Sequence, residues 1–178
     1  MKKEFFSVKK IAILGMLLAL NVVLSRFSIH TLTVKVGFAF ITLVISAMMY
    51  GPAEAGIVGA LGDVFGYVIN PVGAFFPGFT ITAFLTGVVY GFFLKKNVTI
   101  FKAIGAAGVV QFAIGLICNT YLLTILTGQG FIAMLPGRVL QAVVLFMLQT
   151  VIIVLIDKLL MPHLRKLAFS DTYKATAR

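Results

Sequence analysis

The chain contains six long apolar runs, more apolar sequence than a water-soluble fold of this size could bury. They cover approximately residues 9–27, 34–50, 53–70, 77–94, 101–125 and 135–160. Most approach the roughly 20 residues that a helix needs to cross a bilayer, and the short second and third runs require tilt or local thinning of the membrane. With 61% hydrophobic and 11% charged residues, the chain has too little polar surface to cover a soluble core. We therefore expect an all-α integral membrane protein, a compact bundle of six transmembrane helices forming a single domain over residues 1–178.

The distribution of Lys and Arg predicts how this bundle is oriented. If the six runs cross in turn, all of the fifteen cations except Arg26, Lys35 and Arg138 fall on the side that holds both termini. The positive-inside rule assigns the cation-rich side to the cytoplasm, so both termini are predicted to be cytoplasmic. The same rule accounts for the formal charge of +10 without any nucleic-acid partner.

Sequence patterns that would indicate an enzyme are missing. The chain contains no P-loop, no G-x-S-x-G and no H-E-x-x-H. Its one cysteine, Cys118, excludes an internal disulfide and a multi-thiolate metal site, and His30 and His163 fall on opposite predicted sides of the membrane. The five acidic residues are scattered over both faces, so they cannot hold the divalent metal of an intramembrane phosphotransferase. We expect no catalytic residue, no metal site and no cofactor.

Polar residues within the apolar runs are the first candidates for a binding site. An ionisable group at membrane depth costs at least a few kcal/mol when it is unpaired, so it is a functional hypothesis by default. Asp63 lies about two turns from the outer end of the third helix, which predicts that it faces the outer half of the bundle. An internal ion pair with Arg138 or Arg26 is the alternative, and both interpretations stay open. The polar inventory of the helices is Asn21, Asp63, Gln111, Asn119, Arg138, Gln141 and Gln149.

Three outer connections have unusual compositions. Residues 26–37 alternate polar and β-branched side chains, which favours an extended loop or a short strand. Residues 70–78 combine two Pro and two Gly with the adjacent rings of Phe75 and Phe76, and residues 127–131 form a Gly-rich turn. Aromatic rings beside flexible backbone can make a slot for a planar ligand, although an interfacial aromatic belt gives the same pattern.

Small residues at four-residue spacing predict close helix contacts. Pairs such as Gly87 with Gly91 let helix backbones approach each other in lipid, and most of them must be internal packing. On the first helix, Ile11, Gly15 and Ala19 share one stripe. If this stripe points outward, it is a docking surface for another membrane protein.

Several longer runs together carry a resemblance to a known family. They are ALNVVLSRFSI (19–29), VKVGFAFI (34–41), MMYGPAEAGIVGALGDVFG (48–66), NPVGAFFPGFTITAFLTGVVYGFFL (70–94) and MLPGRVLQ (134–141). The chain resembles the substrate-binding S components of energy-coupling factor (ECF) vitamin transporters, and among them the folate-specific members. The resemblance implies a protein of a prokaryotic plasma membrane that captures folate from outside with high affinity.

The resemblance also implies partners. S components associate with a transmembrane coupling protein and two cytoplasmic ATPases, which hydrolyse the ATP. In the family the coupling contact is an Ala-xxx-Ala pattern on the first helix. Here Gly15 and Ala19, with Ile11 one turn earlier, meet this pattern in small-residue form but without the first Ala.

Folate chemistry suggests a role for each candidate ligand-binding residue. The amino group and ring N–H of a pterin form two parallel donors that the carboxylate of Asp63 can accept. The two carboxylates of the glutamate tail would pair with the three outer cations, Arg26, Lys35 and Arg138. Aromatic side chains would pack on the rings, and side-chain amides would satisfy the remaining polar edges. The full predicted set is Arg26, Lys35, Phe38, Asp63, Phe75, Phe76, Asn119, Arg138 and Gln141.

Other functions remain as alternatives. Pantothenate, biotin and lipoate are also anionic and would use Arg26 or Arg138. Cationic thiamine is disfavoured because the chain has no Trp and one outer acid, and riboflavin needs no clamp for a dianion. An intramembrane enzyme lacks the clustered acids that it would need. A scaffold without a ligand would leave Asp63 and Arg138 unexplained in apolar helices.

Overall fold

A computed structural model describes residues 8–30, 35–69, 71, 75–95 and 98–164, with the backbone alone at 28–30 and 35–36. Within these ranges the chain forms six helices and one small β-hairpin. The helices are α1 (Val8–Arg26), α2 (Phe40–Met49), α3 (Pro52–Ile69), α4 (Pro77–Leu94), α5 (Ile100–Thr127) and α6 (Phe131–Leu164). The hairpin consists of β1 (Ser28–His30) and β2 (Lys35–Gly37), which are antiparallel. The expected helical membrane fold is confirmed.

Five of the helices are long and apolar enough to span a membrane, and α2 is the exception. At 1.5 Å per residue α2 is about 15 Å long, half of the hydrocarbon core of a bilayer. Eight of its ten residues are buried, so it lies inside the bundle instead of facing lipid. The longer helices carry many exposed apolar side chains, as expected of surfaces that contact lipid.

The second helix starts later than the sequence indicated, at Phe40 instead of residue 34. The difference arises because Lys35–Gly37 pairs with Ser28–His30, with Ile29 opposite Val36. This β-branched segment satisfies its backbone groups across the hairpin before the chain enters α2. The extended structure expected for residues 26–37 is thus confirmed at Ser28–His30 and Lys35–Gly37, whereas Arg26 is the last residue of α1.

Glycines bring α3 and α4 into the most extensive helix contact of the bundle. A Cβ atom on Gly59 would overlap the carbonyl oxygen of Ala83, and one on Gly87 would overlap that of Ala55. A Cβ on Gly91 would likewise meet the Pro52 backbone. These small residues are internal packing, as the sequence predicted, and they join the two helices without intervening side chains.

Polar contacts attach α1 to the other helices at two levels. Near the C-terminal end of α1, the buried Asn21 amide donates to the Ala39 carbonyl at 2.9 Å and to the Thr42 hydroxyl at 2.6 Å. Near the N-terminal ends of α1 and α3, the Lys10 ammonium lies 2.6 Å from the Glu54 carboxylate. Apart from Leu17 and Asn21, the residues of α1 are only partly buried or exposed.

Both C-terminal helices contain a π-helical segment, Val109–Cys118 in α5 and Ile156–Leu160 in α6. Between the helices Gly128 adopts φ +72°, a left-handed conformation that suits glycine at a helix C-terminus. Helix α6 begins at Phe131, before the expected residue 135, and Pro136 lies inside it. Ala133 and Met134 donate to the Gly130 carbonyl, so the first turn of the helix forms before Pro136.

Candidate functional site

A cavity of about 220 Å³ lies between α4, α5 and α6. Its volume is below the roughly 300–1,000 Å³ typical of ligand sites, so a vitamin-sized ligand would have to extend beyond it. From Arg138 to Gln149 the cavity follows α6 for about 16 Å at 1.5 Å per residue. The lining residues are Thr86, Val110, Gln111, Ile114, Gly115, Asn119, Arg138, Gln141, Ala142, Leu145 and Gln149.

The π-helical segment of α5 forms one wall of this cavity. It contributes Val110, Gln111, Ile114 and Gly115, and Asn119 follows directly after it. Gly115 leaves room for the neighbouring amide, because a Cβ there would lie 3.3 Å from Gln111 Oε1. Segments of π-helix are rare and occur often at functional sites, and this one brings polar groups to the middle of an apolar helix.

Two polar groups that line the cavity, on Arg138 and Asn119, have no partner among the residues that the structure describes. The half-buried guanidinium of Arg138 forms no hydrogen bond or ion pair with the residues that the structure describes, and no carboxylate lines the cavity with it. The Asn119 Oδ1 atom is buried and also has no partner. Unpaired polar atoms in an apolar setting are costly, so a ligand that supplies an anion and a hydrogen-bond donor would be stabilised here.

Three of the predicted ligand-binding residues meet in this cavity, namely Asn119, Arg138 and Gln141. Asp63 and Arg26 form a second group, on the α1 and α3 side of α4. Asp63 Oδ2 accepts a hydrogen bond of 2.6 Å from the Thr80 hydroxyl, and exposed Arg26 donates to the Gly66 carbonyl at 2.7 Å. The alternative of an ion pair between Asp63 and either arginine is not observed in the described ranges.

The predicted aromatic residues Phe75 and Phe76 lie directly before α4 begins. The Phe75 ring lies 5.1 Å from that of Tyr67 on α3, and the Phe76 ring lies 6.1 Å from that of Phe79 on α4. Phe76 also covers Gly78. The loop between α3 and α4 thus ends between the two groups of polar residues. Residues 70 and 72–74 of this loop lie outside the described ranges.

The two remaining candidates are near the hairpin. Phe38 is half-buried just before α2. Lys35 belongs to β2, whose backbone contacts both α1 and α6; its side chain lies outside the described part. Contact with a ligand therefore stays a prediction for Lys35 and Phe38, as it does for the other candidates.

Three cavity residues with polar side chains, Thr86, Gln111 and Gln149, were absent from the predicted site. Gln111 and Gln149 stand out in the sequence as amides within apolar runs, so a signal for them existed. The helix face of Gln111 could not be assigned because the π-helical segment shifts the register of α5. Thr86 gives no such signal, since its hydroxyl donates to the Thr82 carbonyl at 2.8 Å, a common way for threonine to be accommodated in a helix.

The small-residue stripe of α1 faces away from the bundle. Ile11 is 54% exposed, no atom lies within 4 Å of a Cβ built on Gly15, and Ala19 is exposed. The condition for a docking surface, that the stripe points outward, is therefore met. Ala19 also borders an apolar groove between α1, α2 and the C-terminal end of α6.

Comparison with known proteins gives consistent results over most of the chain. Residues 5–166 match the family described as ECF-type riboflavin transporter, S component. The folate transporter FolT of Clostridium novyi (strain NT) is 39% identical over 142 residues, which are 79% of this chain and 83% of that protein. The folate transporter FolT of Leuconostoc mesenteroides is 31% identical over 170 residues, 91% of this chain and 92% of that protein.

A solved structure supports the same grouping. The crystal structure of FolT bound with folic acid superposes with a TM-score of 0.79 at 35% sequence identity. The match covers 84% of this chain and 93% of the other. The family takes its description from riboflavin, whereas both relatives and the solved structure are named for folate.

Proposed function

The chain belongs to the S components of ECF-type transporters, and we propose that it is a folate-binding member of that family. It is a multi-pass protein of a bacterial plasma membrane and a transport component, not an enzyme. In the proposed function it captures folate at the outer side of the membrane and delivers it through a larger assembly.

The observation that carries this proposal is that Arg138, in the cavity, has no partner among the residues that the structure describes. A half-buried cation without a carboxylate neighbour favours an anionic ligand, because leaving it unpaired at membrane depth costs at least a few kcal/mol. Folate supplies two carboxylates on its glutamate tail, whereas neutral riboflavin supplies none. In the described part of the chain the buried Oδ1 of Asn119 has no partner and would accept from a donor, which the amide N–H between the aminobenzoyl ring and the glutamate of folate provides.

The position of Arg138 suggests the direction in which the ligand lies. Arg138 and Asn119 are nearer the outer ends of α6 and α5 than Gln149 and Gln111 are. A ligand whose flat ring enters first would leave its charged tail near Arg138, with Phe76 and the exposed Arg26 farther out. Lys35 and Phe38, on the hairpin and at the start of α2, are proposed to border the same outer opening.

Coupling to transport is assigned to the outward stripe of Ile11, Gly15 and Ala19. The open space at Gly15 allows the backbone of a partner helix to approach closely. We place the transmembrane coupling protein of the ECF assembly there, joined to two cytoplasmic ATPases that hydrolyse ATP. The chain itself has no P-loop, and we assign no cofactor to it.

Isothermal titration of the purified chain tests the ligand. Folic acid should bind in detergent or nanodiscs with no ATP and no partner subunit present. Riboflavin, pantothenate, biotin and lipoate serve as competitors and should not displace it at equal concentration. Failure of folic acid to bind, together with binding of one of these, would assign the chain to another vitamin.

A further inference from the structure

Beneath the polar cavity, the hydroxyl of Tyr90 on α4 donates a hydrogen bond of 2.8 Å to Oε1 of Gln149 on α6. Both side chains are buried, with Tyr90 0% and Gln149 5% exposed. Gln149 lines the cavity, and Tyr90 lies behind it. The contact therefore determines what the deep end of the cavity offers a ligand.

The hydrogen bond that Tyr90 donates sets the orientation of the Gln149 amide. A buried phenol must donate its proton, and within the described ranges Gln149 Oε1 is the one acceptor that Tyr90 finds. Rotating the amide would place its NH₂ group against the hydroxyl and leave the phenol proton without a partner. The oxygen is thus held toward Tyr90, and the Nε2 donor is left to face the cavity.

Uncharged groups complete this end of the cavity. Gln111 is 7% exposed, and its amide forms no hydrogen bond with any described residue, so a donor and an acceptor are both available. Thr86 already donates its proton to the Thr82 carbonyl, which leaves its oxygen as an acceptor. No Asp or Glu is among the lining residues, so nothing here stabilises a protonated ring.

We propose that Gln149 and Gln111 determine ring specificity, with Tyr90 as the positioning residue that keeps the Gln149 donor directed at a ring carbonyl. This inference rests on the proposed function and deepens it. The chemical class selected is a neutral 4-oxo pteridine, whose ring carbonyl accepts from Gln149 and whose adjacent N–H donates to Gln111. The sequence suggested that Asp63 recognises the ring. We assign that role to the amides of Gln149 and Gln111 instead, because Asp63 accepts a hydrogen bond from Thr80 and does not line the cavity.

A matched pair of ligands tests the inference. Aminopterin has the same aminobenzoyl-glutamate tail as folic acid but carries an amino group in place of the ring carbonyl. In the unmodified protein the Gln149 donor would oppose this amino donor, so folic acid should bind about 10–100-fold more tightly, the equivalent of a polar group left unsatisfied. The measured quantity is the ratio of the two dissociation constants by isothermal titration.

Substitutions then alter the orientation of the amide. In Tyr90→Phe the amide is free to rotate, so the ratio should fall to about threefold or less. Gln149→Glu places an acceptor at the same position and should reverse the preference in favour of aminopterin. Tyr121→Phe removes a hydroxyl from an exposed tyrosine of α5 and should leave the ratio unchanged, as should Asp63→Asn.

The outcomes separate this inference from the proposed function. If Tyr90→Phe weakens both ligands by the same factor, Tyr90 has only a structural role and the inference is overturned while folate binding stands. If the ratio of the two dissociation constants changes in Asp63→Asn but not in Tyr90→Phe, Asp63 recognises the ring and the two amides do not. If the unmodified protein binds neither ligand, the proposed function fails and the inference fails with it.

Discussion

Arg26 and Arg138 differ in their surroundings, and this difference determines the role expected of each. Arg26 is exposed and donates to a backbone carbonyl of α3. Arg138 is half-buried in the cavity, without a partner in the described ranges. The sequence identified both as ligands for the folate tail, but it gave no measure of burial. Exposed ion pairs contribute little, whereas desolvated ones contribute much.

Arg138→Gln should weaken the binding of folic acid by about 2–5 kcal/mol, because a tail carboxylate would lose a desolvated partner. Arg26→Ala should cost about 1 kcal/mol or less, with a dependence on salt. Isothermal titration with folic acid and with 6-hydroxymethylpterin, which lacks the tail, separates the contributions. Arg138→Gln should leave the affinity for 6-hydroxymethylpterin unchanged, and equal losses for both ligands would show that Arg138 does not bind the tail.

At the scale of whole elements, apolar patterning predicted the number of helices but not all of their bounds. The run at 34–50 is apolar enough for a helix, and only the pairing of β2 with β1 shows that its first residues belong to a hairpin. The last helix begins at Phe131, four residues before the apolar run at 135–160, and Pro136 lies inside it. The π-helical segment of α5 has no sequence signal in a single chain, and the cavity position of Gln111 was missed for that reason. Thr86 was missed because its hydroxyl pairs within its own helix, as threonine commonly does.

Gly115→Ala tests whether the π-helical wall of α5 borders the ligand. The new methyl would lie 3.3 Å from Gln111 Oε1 and force that amide to shift, so folic acid should bind about tenfold more weakly, the equivalent of one impaired hydrogen bond. Gly108→Ala is the matched control on the same helix, since its Cβ meets Phe146 at an ordinary 3.7 Å. Isothermal titration and thermal unfolding should show both variants folded and only Gly115→Ala weakened. Unchanged affinity in Gly115→Ala would place the ligand elsewhere.

Ala19→Leu tests the outward stripe of α1. Bulk on this face should obstruct a partner helix and reduce folate uptake by cells at least about tenfold, while the isolated chain keeps its affinity because Ala19 is remote from the cavity. Ala113→Leu adds the same bulk to an exposed position on α5 and should leave uptake intact. Parallel loss of uptake and of binding in Ala19→Leu would mean that the stripe supports folding instead of docking.

For the whole molecule, the asymmetry of charge predicts orientation, which the fold alone leaves open. The cation-rich side should be cytoplasmic, with both termini. In a Cys118→Ser background, Lys95→Cys and Gln129→Cys place single thiols at exposed positions on opposite ends of the bundle. An impermeant maleimide added to intact cells should label position 129 and not position 95. The reverse pattern would invert the topology and move the proposed site to the cytoplasmic side.

Native mass spectrometry of the chain purified from cells that produce folate tests the central claim most directly, because it identifies a ligand that the protein itself retains. We expect the bound mass to be that of a folate, in a 1:1 complex that forms without partner subunits. The same preparation of Arg138→Gln should show the unliganded mass, since its ligand would dissociate during purification. A bound riboflavin or another vitamin, or an unmodified protein that stays unliganded when folic acid is added, would contradict the account.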